Sequence, residues 1–567
     1  GTHQQEFNII YNHAWTCYFW FDDVETTYQD YLRLKPFISD DCTVYRLERL
    51  TNLLSVLATA VTYGLIEKEK IQQEIEYIQD LEKTLAKDAA RPACYLFIRL
   101  RILTQRAIYH IPQPSLLKAD LLVLKPLLLA AASCIEISFE SQYEIMEMLS
   151  RQIGNSAEFD NVVDEMANVI ATQRSEVEAA KVRLVRAEAH MDKRRWKEAV
   201  RQLSFCVYAF EKEEYTDELI RSSGLMGLSL WEMQLPYSAE AFLVKSVCFL
   251  LKDFQKTGHV PHLLVSTLAK LCEIELMLGR LVMYLNWFKL MMAVAQNSKY
   301  YEEPDFVKKN FMADVAWMCR FAVSNLAEPF FERIPSILER HGLVFSSSYL
   351  KYALGHENEC EKDFLEMMRG DKSRDLLSKQ PVFKQFLCDL NVSHEGAACL
   401  QTTVNSFTFK VDYRNDHAFQ QIAEIFLASM ESLLSTYDTL ELMPLHNEIV
   451  VHIVNTDGEN DVRVLEIDKY EVRINLATFT DKIFWECLIK FIAHAFSQNA
   501  ISEFDIATML NRKQNGERMM DRVAVLQQTK VTFAGVFGSQ YKYRIEDWVQ
   551  STDKIYTNKV CDRAVPN

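Results

Sequence analysis

The sequence predicts a mainly helical chain: a long helical array followed by a smaller C-terminal α+β domain. Three observations predict it. Glycine and proline number only 15 and 13 among 567 residues, less than half the average usage of about 7% and 5%. Sheet-rich folds spend those residues on turns, and long helices joined by short connections do not. From Gln5 to about Leu390, apolar residues recur three or four positions apart, the period of an amphipathic helix. Beyond Leu390 the texture changes to short alternating runs, the period of half-buried strands. These changes divide the chain into helical hairpins over 1–175, a helical array over 176–390 and an α+β domain over 391–567.

Composition narrows the class. Hydrophobic residues make up 49% of the chain, enough for a core, so wholesale disorder is excluded. The formal net charge of −16 disfavours non-specific coating of nucleic acid or anionic lipid. The most apolar stretch, Leu121 to Ile135, is interrupted by Lys125 and Pro126 and falls short of the roughly 20 apolar residues of a membrane span. The apolar segment from Phe7 to Trp20 has no basic leader, unlike a secretory signal. The 13 cysteines are scattered, none in C-x-x-C spacing, as expected of small buried hydrophobes in a reducing, cytoplasmic setting. No disulfide framework, metal centre or cofactor is expected.

Along the helical part, Ile71, Ile75, Ile78, Leu81 and Leu85 place one apolar face on a segment from Ile66 to Leu85. Pro126 is expected in the first turn of the apolar helix that follows it, where its missing N–H is harmless. From about 180 to 295 small or medium residues recur in pairs twelve apart: Ala187 and Ala199, Gly227 and Ala239, Cys272 and Tyr284, the last pair flanking Gly279. Such pairs mark where two helices of a hairpin approach. In Ala187–Leu203 the turn is followed by Trp196, then Ala199 and Leu203. This stretch resembles the tetratricopeptide repeat, a helix–turn–helix unit of about 34 residues. The spacing from Ala187 to Gly227 and on to Cys272 is longer, and the first-helix Trp and terminal Pro of that repeat are missing. The resemblance is therefore to a degenerate array. It implies an α-solenoid, in which stacked hairpins supply one another's core and leave a long surface for a protein partner or peptide.

In the C-terminal part, Asn391 to Gln401 reads as a linker. Val404 to Val411 reads as a strand, His417 to Thr436 as a helix and Glu448 to Val454 as a buried strand. Asp457-Gly458 is a hairpin signal. Strands over Val462–Ile467 and Tyr470–Leu476 and an apolar helix over Asp481–Ser497 follow. Two shorter helices near 502–512 and 515–527 and a hairpin over Thr529–Ile545 complete the domain.

Chemistry is sparse. There is no phosphate-binding Gly-rich loop, no H-E-x-x-H and no G-x-S-x-G, so nucleotide hydrolysis and the common hydrolase motifs are not in evidence. His494 stands on the apolar helix with Glu486 two turns earlier, but position 498 is Gln498; a buried His bonded to backbone is the expectation. His259 and His262 read as loop residues beside Pro261. His446 and His452 flank the first buried strand and, with Asp468, are the residues a metal reading would use. Asp457, Glu459, Asp461, Glu466, Asp468 and Glu471 form an acidic run, and converging carboxylates would suit a metal-dependent nuclease or hydrolase. On that reading Asp468, His494 and Glu466 are the catalytic candidates. Cys399, near His394, and Cys487 are the cysteines that a nucleophile reading would use, although Cys487 sits in an apolar helix and is expected to be inert.

Residues 391–500 hold 7 basic and 16 acidic residues, and 501–567 hold 10 and 8. The order helix, helix, hairpin in that mildly basic end is that of a winged helix, in which Arg512, Lys513, Arg518 and Arg522 would meet phosphate. The sequence thus presents three functions. The leading one is a scaffold or adaptor that binds a protein partner or peptide through the array, as a subunit of a larger complex, with Arg183, Arg186, His190, Lys193 and Arg194 as binding candidates. The others are an effector enzyme with its site in the C-terminal domain and the repeats as sensor, and a nucleic-acid binder near 501–567. No membrane association is expected, and the oligomeric state is open.

Overall fold

Helix follows helix because the sequence marks many of their starts with a capping side chain or a proline. A computed structural model describes residues 2–211, 213–278, 281–295, 334–340, 343–353, 356–360, 362–368, 397–414, 417–436 and 444–499. The chain divides into two compact units, Gly1–Arg195 and Trp196–Asn567. The first contains α1 (His3–Phe21), α2 (Val24–Asp40), α3 (Val44–Thr62), α4 (Lys68–Leu85), α5 (Pro92–Tyr109), α6 (Pro114–Ala132), α7 (Phe139–Gln152), α8 (Ala157–Gln173) and α9 (Glu176–Asp192). Thr2, Asp23, Thr43, Ser138, Ser156 and Ser175 each accept a hydrogen bond from the backbone N–H three residues on, satisfying a donor that the helix itself leaves unpaired. Pro92 and Pro114 open α5 and α6, where a fixed φ suits the first turn.

Helix packing in this unit is regular. α1 packs on α2, α3 on α4, α5 on α6 and α8 on α9, while α3 also meets α1 and α5, and α7 meets α5 and α9. Leu47, Leu50, Leu57, Phe97, Leu103, Leu124 and Phe159 are fully enclosed in the shared core. In α4 the predicted stripe is present: Ile71, Ile78 and Leu85 are buried, and Ile75 is 37% exposed at its margin. Pro126 differs from expectation. It lies inside α6 rather than in its first turn; the helix starts a dozen residues earlier, at Pro114, and the carbonyl freed by the ring is that of Leu122, on the solvent side.

The second unit begins with α10 (Trp196–Ala209), α11 (Thr216–Glu232), α12 (Pro236–Thr257), α13 (His262–Met277) and α14 (Leu281–Ala295), each packed on the next. All three predicted pairs of close-approach positions are buried: Ala187 and Ala199, Ala239 opposite Gly227, Cys272 and Tyr284. Gly227 shows why a small residue is needed. A Cβ there would lie 2.6 Å from Leu243 Cγ and 3.0 Å from the Ala239 carbonyl oxygen. Gly279 lies outside the described residues, and His259 falls in the α12–α13 connection while His262 opens α13. Short helices α15 (Ile334–Arg340), α16 (Val344–Ala353) and α17 (Lys362–Met368) follow.

The C-terminal part contains β1 (Ala397–Val404), β2 (Phe407–Arg414), α18 (His417–Leu434), β3 (Glu448–Asn455), β4 (Asp461–Glu466), β5 (Lys469–Ile474) and α19 (Asp481–Asn499). The strands form a five-stranded mixed sheet in the order β1-β2-β3-β5-β4. Two expectations are corrected. The segment read as one strand over Val404–Val411 is strand β2 from Phe407 onward, but Val404 ends β1 and Asn405–Ser406 form the turn of a β1–β2 hairpin, so part of the expected linker is β1. Asn405 and Ser406 take φ of 48° and 69°, the left-handed pair that a tight two-residue hairpin needs, supplied here without glycine. The Asp457-Gly458 turn does not close a hairpin. β3 runs parallel to β5, and β4 is the outer strand, antiparallel to β5; the reversal that pairs is at Ile467–Asp468.

Alternation sorts the sheet's faces. Phe407, Phe409, Val411, Ile449, Val451, Ile453, Tyr470 and Val472 are buried on one face. Both α18 and α19 cover that face: the Phe491 ring lies 4.8 Å from Phe426 and 5.2 Å from Tyr470, and Phe496 lies 5.3 Å from Phe407. The molecule is thus mostly helical with a small C-terminal sheet. Among the described residues no helix is long and apolar enough to cross a membrane. The expected helices and hairpin beyond residue 500, with Arg512, Lys513, Arg518 and Arg522, lie outside the described residues.

Candidate functional site

The array's candidate residues divide by burial. Arg186 is fully enclosed, and Arg183 and His190 are 2% exposed. All three face α8, and Arg186 also reaches the end of α7. Arg186 donates to Asp160 at 2.7 Å and to the carbonyls of Ile153 and Gly154 at 2.7 and 2.9 Å, and its guanidinium lies 4.9 Å from the Phe159 ring. His190 Nε2 and Arg195 reach the same carboxylate at 3.2 Å each. Arg183 is paired with Asp164. Burial works against the charge on Asp160, yet the His190 hydrogen bond and the Arg186 charge outweigh it and hold its carboxyl down at about 2. The same burial pulls His190 below its ordinary value against the Asp160 bond. These side chains pin the α7–α8 connection. Only Lys193 and Arg194 of the five are exposed to a partner. The missed member was Asp160, which sequence reading leaves as one more helix-start acid.

In the C-terminal domain the catalytic candidates stand apart. Glu466 is exposed and paired with Lys469 at 2.7 Å. Asp468 sits in the β4–β5 turn, where its carbonyl accepts from Val450 at 2.8 Å. His494 is exposed on α19 rather than buried, because the period of α19 turns Phe491, Ala495 and Phe496 inward. Of the other acids in the run, Asp461 is matched by Lys490 at 3.0 Å and Glu471 by Arg473 at 3.8 Å. Among the described residues no three His, Cys, Asp or Glu side chains gather as a metal ion would need.

One row of polar side chains does cross the sheet's outer face. Cys399 is opposite Asp412, Asp412 opposite His452, His452 opposite Glu471, and Glu471 opposite Arg463. His452 Nδ1 is 3.2 Å from Asp412 Oδ2. The order is wrong for a thiol nucleophile, which needs the imidazole beside the sulfur. Here the carboxylate comes between them, and burial together with the Asp412 bond pushes the Cys399 thiol up to about 12. Burial likewise raises the Cys487 thiol. His394 lies outside the described residues, and His446 is exposed at the approach to β3.

One strongly perturbed group is an acid the sequence reading passed over. Glu431 on α18 is fully buried. One oxygen accepts from Thr402 of β1 at 2.6 Å, the other from the backbone N–H of Ser238 in the first turn of α12 at 2.7 Å. Ser238 Oγ donates to the Ala428 carbonyl at 2.7 Å, and Arg201 of α10 donates to the Thr436 carbonyl at 2.8 Å. Burial pushes the Glu431 carboxyl up to about 8, with the Thr402 and Ser238 bonds pulling the other way. This is a joint between helices and sheet. Its sequence signal was an acid inside an apolar helical run, Phe426 to Leu434. Compared with known protein families, with curated proteins and with solved structures, the chain shows no match.

Proposed function

We propose that the chain is a protein-interaction scaffold or adaptor, its helices forming a degenerate tetratricopeptide-like α-solenoid that holds a protein partner within a larger complex. The observation that carries this reading is the exposure of large apolar side chains on the first unit, with Trp20 82% and Phe21 72% exposed at the end of α1. Apolar surface gathered rather than scattered marks a docking site. The paired C-terminal acids and the raised Cys399 thiol supply no comparable support for catalysis. The free thiols of the described residues fit a reducing, cytoplasmic setting.

The test is affinity purification of the full chain from its own cells, followed by size-exclusion chromatography with mass measurement. A protein that co-elutes in fixed stoichiometry is expected. Elution of the chain alone, at native concentrations and low salt, overturns the proposal.

A further inference from the structure

Six of the exposed apolar residues share one edge of the first unit. Phe19, Trp20 and Phe21 are 58%, 82% and 72% exposed at the α1–α2 turn, Tyr63 and Leu65 are 74% and 61% exposed at the α3–α4 turn, and Tyr109 is 76% exposed at the α5–α6 turn. These turns lie side by side because α1, α3 and α5 run parallel and in step. Tyr45 at the start of α3 bonds Asn8 near the start of α1 at 2.9 Å. Cys94 at the start of α5 meets the Cys42 carbonyl just before α3 at 3.4 Å, and Arg101 bonds Asn52 midway along both at 3.1 Å. Across the first two turns Lys70 pairs with Glu25 at 3.2 Å.

From this ridge we infer that the hairpin-turn edge of residues 1–195 docks an amphipathic, basic segment of a protein partner. The ridge supplies the apolar seat. Its rim supplies the charge: Asp22, Asp23, Glu67 and Glu69 are exposed around the first two turns against the exposed cation Lys68. An acidic rim attracts lysine or arginine flanking an apolar face and repels an anionic bilayer. The interior sides of the same helices are already filled, and this edge offers aromatic area without displacing core. The inference rests on the scaffold reading and names its surface and the chemistry of its partner.

The test uses the full chain and two fluorescein-labelled synthetic helices, one of leucine and lysine, the other with glutamate replacing lysine. Saturable anisotropy change is expected with the first and none with the second. The triple variant W20S/F21S/Y63S should weaken binding at least about tenfold, as loss of aromatic hot spots does, with an unchanged thermal melt. A second variant, D22K/E69K, leaves the aromatics in place and should weaken the lysine helix several-fold. Equal binding by the wild type and both variants overturns the inference. So does a dimer, seen by sedimentation, that the triple variant abolishes, because the ridge is then covered by a second copy. Co-sedimentation with phosphatidylserine vesicles that the triple variant abolishes overturns it in favour of a lipid surface. A cellular partner recovered equally with the wild type and the triple variant overturns this inference and leaves the scaffold reading standing.

Discussion

Buried charge sets the residue scale. Arg186 satisfies a carboxylate and two carbonyls from inside the core, so Arg186→Ala takes the donor from the Ile153 carbonyl and leaves Asp160 with His190 and Arg195 alone. Breaking one side of a buried pair costs about 3–5 kcal/mol; a comparable loss is expected in denaturant unfolding of the first unit. Lysine should not rescue it, having no planar fork. Lys193→Ala and Arg194→Ala, at exposed sites, should stay within about 0.5 kcal/mol. A neutral result for Arg186→Ala would remove it from the α7–α8 joint. Glu431 carries the opposite pH signature to an ordinary carboxylate. Folded, it holds its proton to about 8; unfolded, it releases it near 4.3. Stability should therefore fall as pH rises between those values and level off above them. Glu431→Gln keeps the shape and should flatten that slope, which melting temperatures across the window will read. An unchanged slope assigns the titration elsewhere.

At the element scale, spacing made most helices legible and left their ends and partners less so. The Gly227–Ala239 pair located a real packing position because close backbone approach demands small side chains whatever the repeat family. Gly227 tests this directly. Its Cβ would press on Leu243 and on the α12 backbone, so Gly227→Ala should destabilise the α11–α12 hairpin by about 1–3 kcal/mol, the usual cost of overpacking, despite alanine's better helix propensity. A stabilised variant would show that the helices separate freely. The β1–β2 hairpin was illegible because its turn uses Asn405 and Ser406 in a conformation usually marked by glycine. The Asp-Gly turn misled in the other direction: a turn reverses the chain, but pairing is decided by which neighbour the strand finds. β5, not β4, fills the place beside β3.

For the second unit as a whole, the Glu431 joint ties sheet and helices together. Its partners come from α12, α18 and β1. Native-state hydrogen exchange should therefore show α12, α18 and β1 opening as one cooperative block. Exchange of α12 by a separate low-energy opening, with the sheet still protected, would show that the joint does not couple them. Across the change of texture near residue 390, Glu431 of α18 bonds the first turn of α12. Texture reports the period of each element, and the joint depends on which apolar face meets which.

By itself, the sequence determined the helical character, the change to strands beyond residue 390 and the close-approach positions, because these follow from side-chain period and size. Tertiary structure alone decided which charges are buried, where the sheet's strands pair, and that aromatics from three separate turns share one edge. Those outcomes depend on residues distant in the chain. Arg186 and Lys193 look alike in sequence, and only the position of Asp160 makes one a core fastener and leaves the other at the surface.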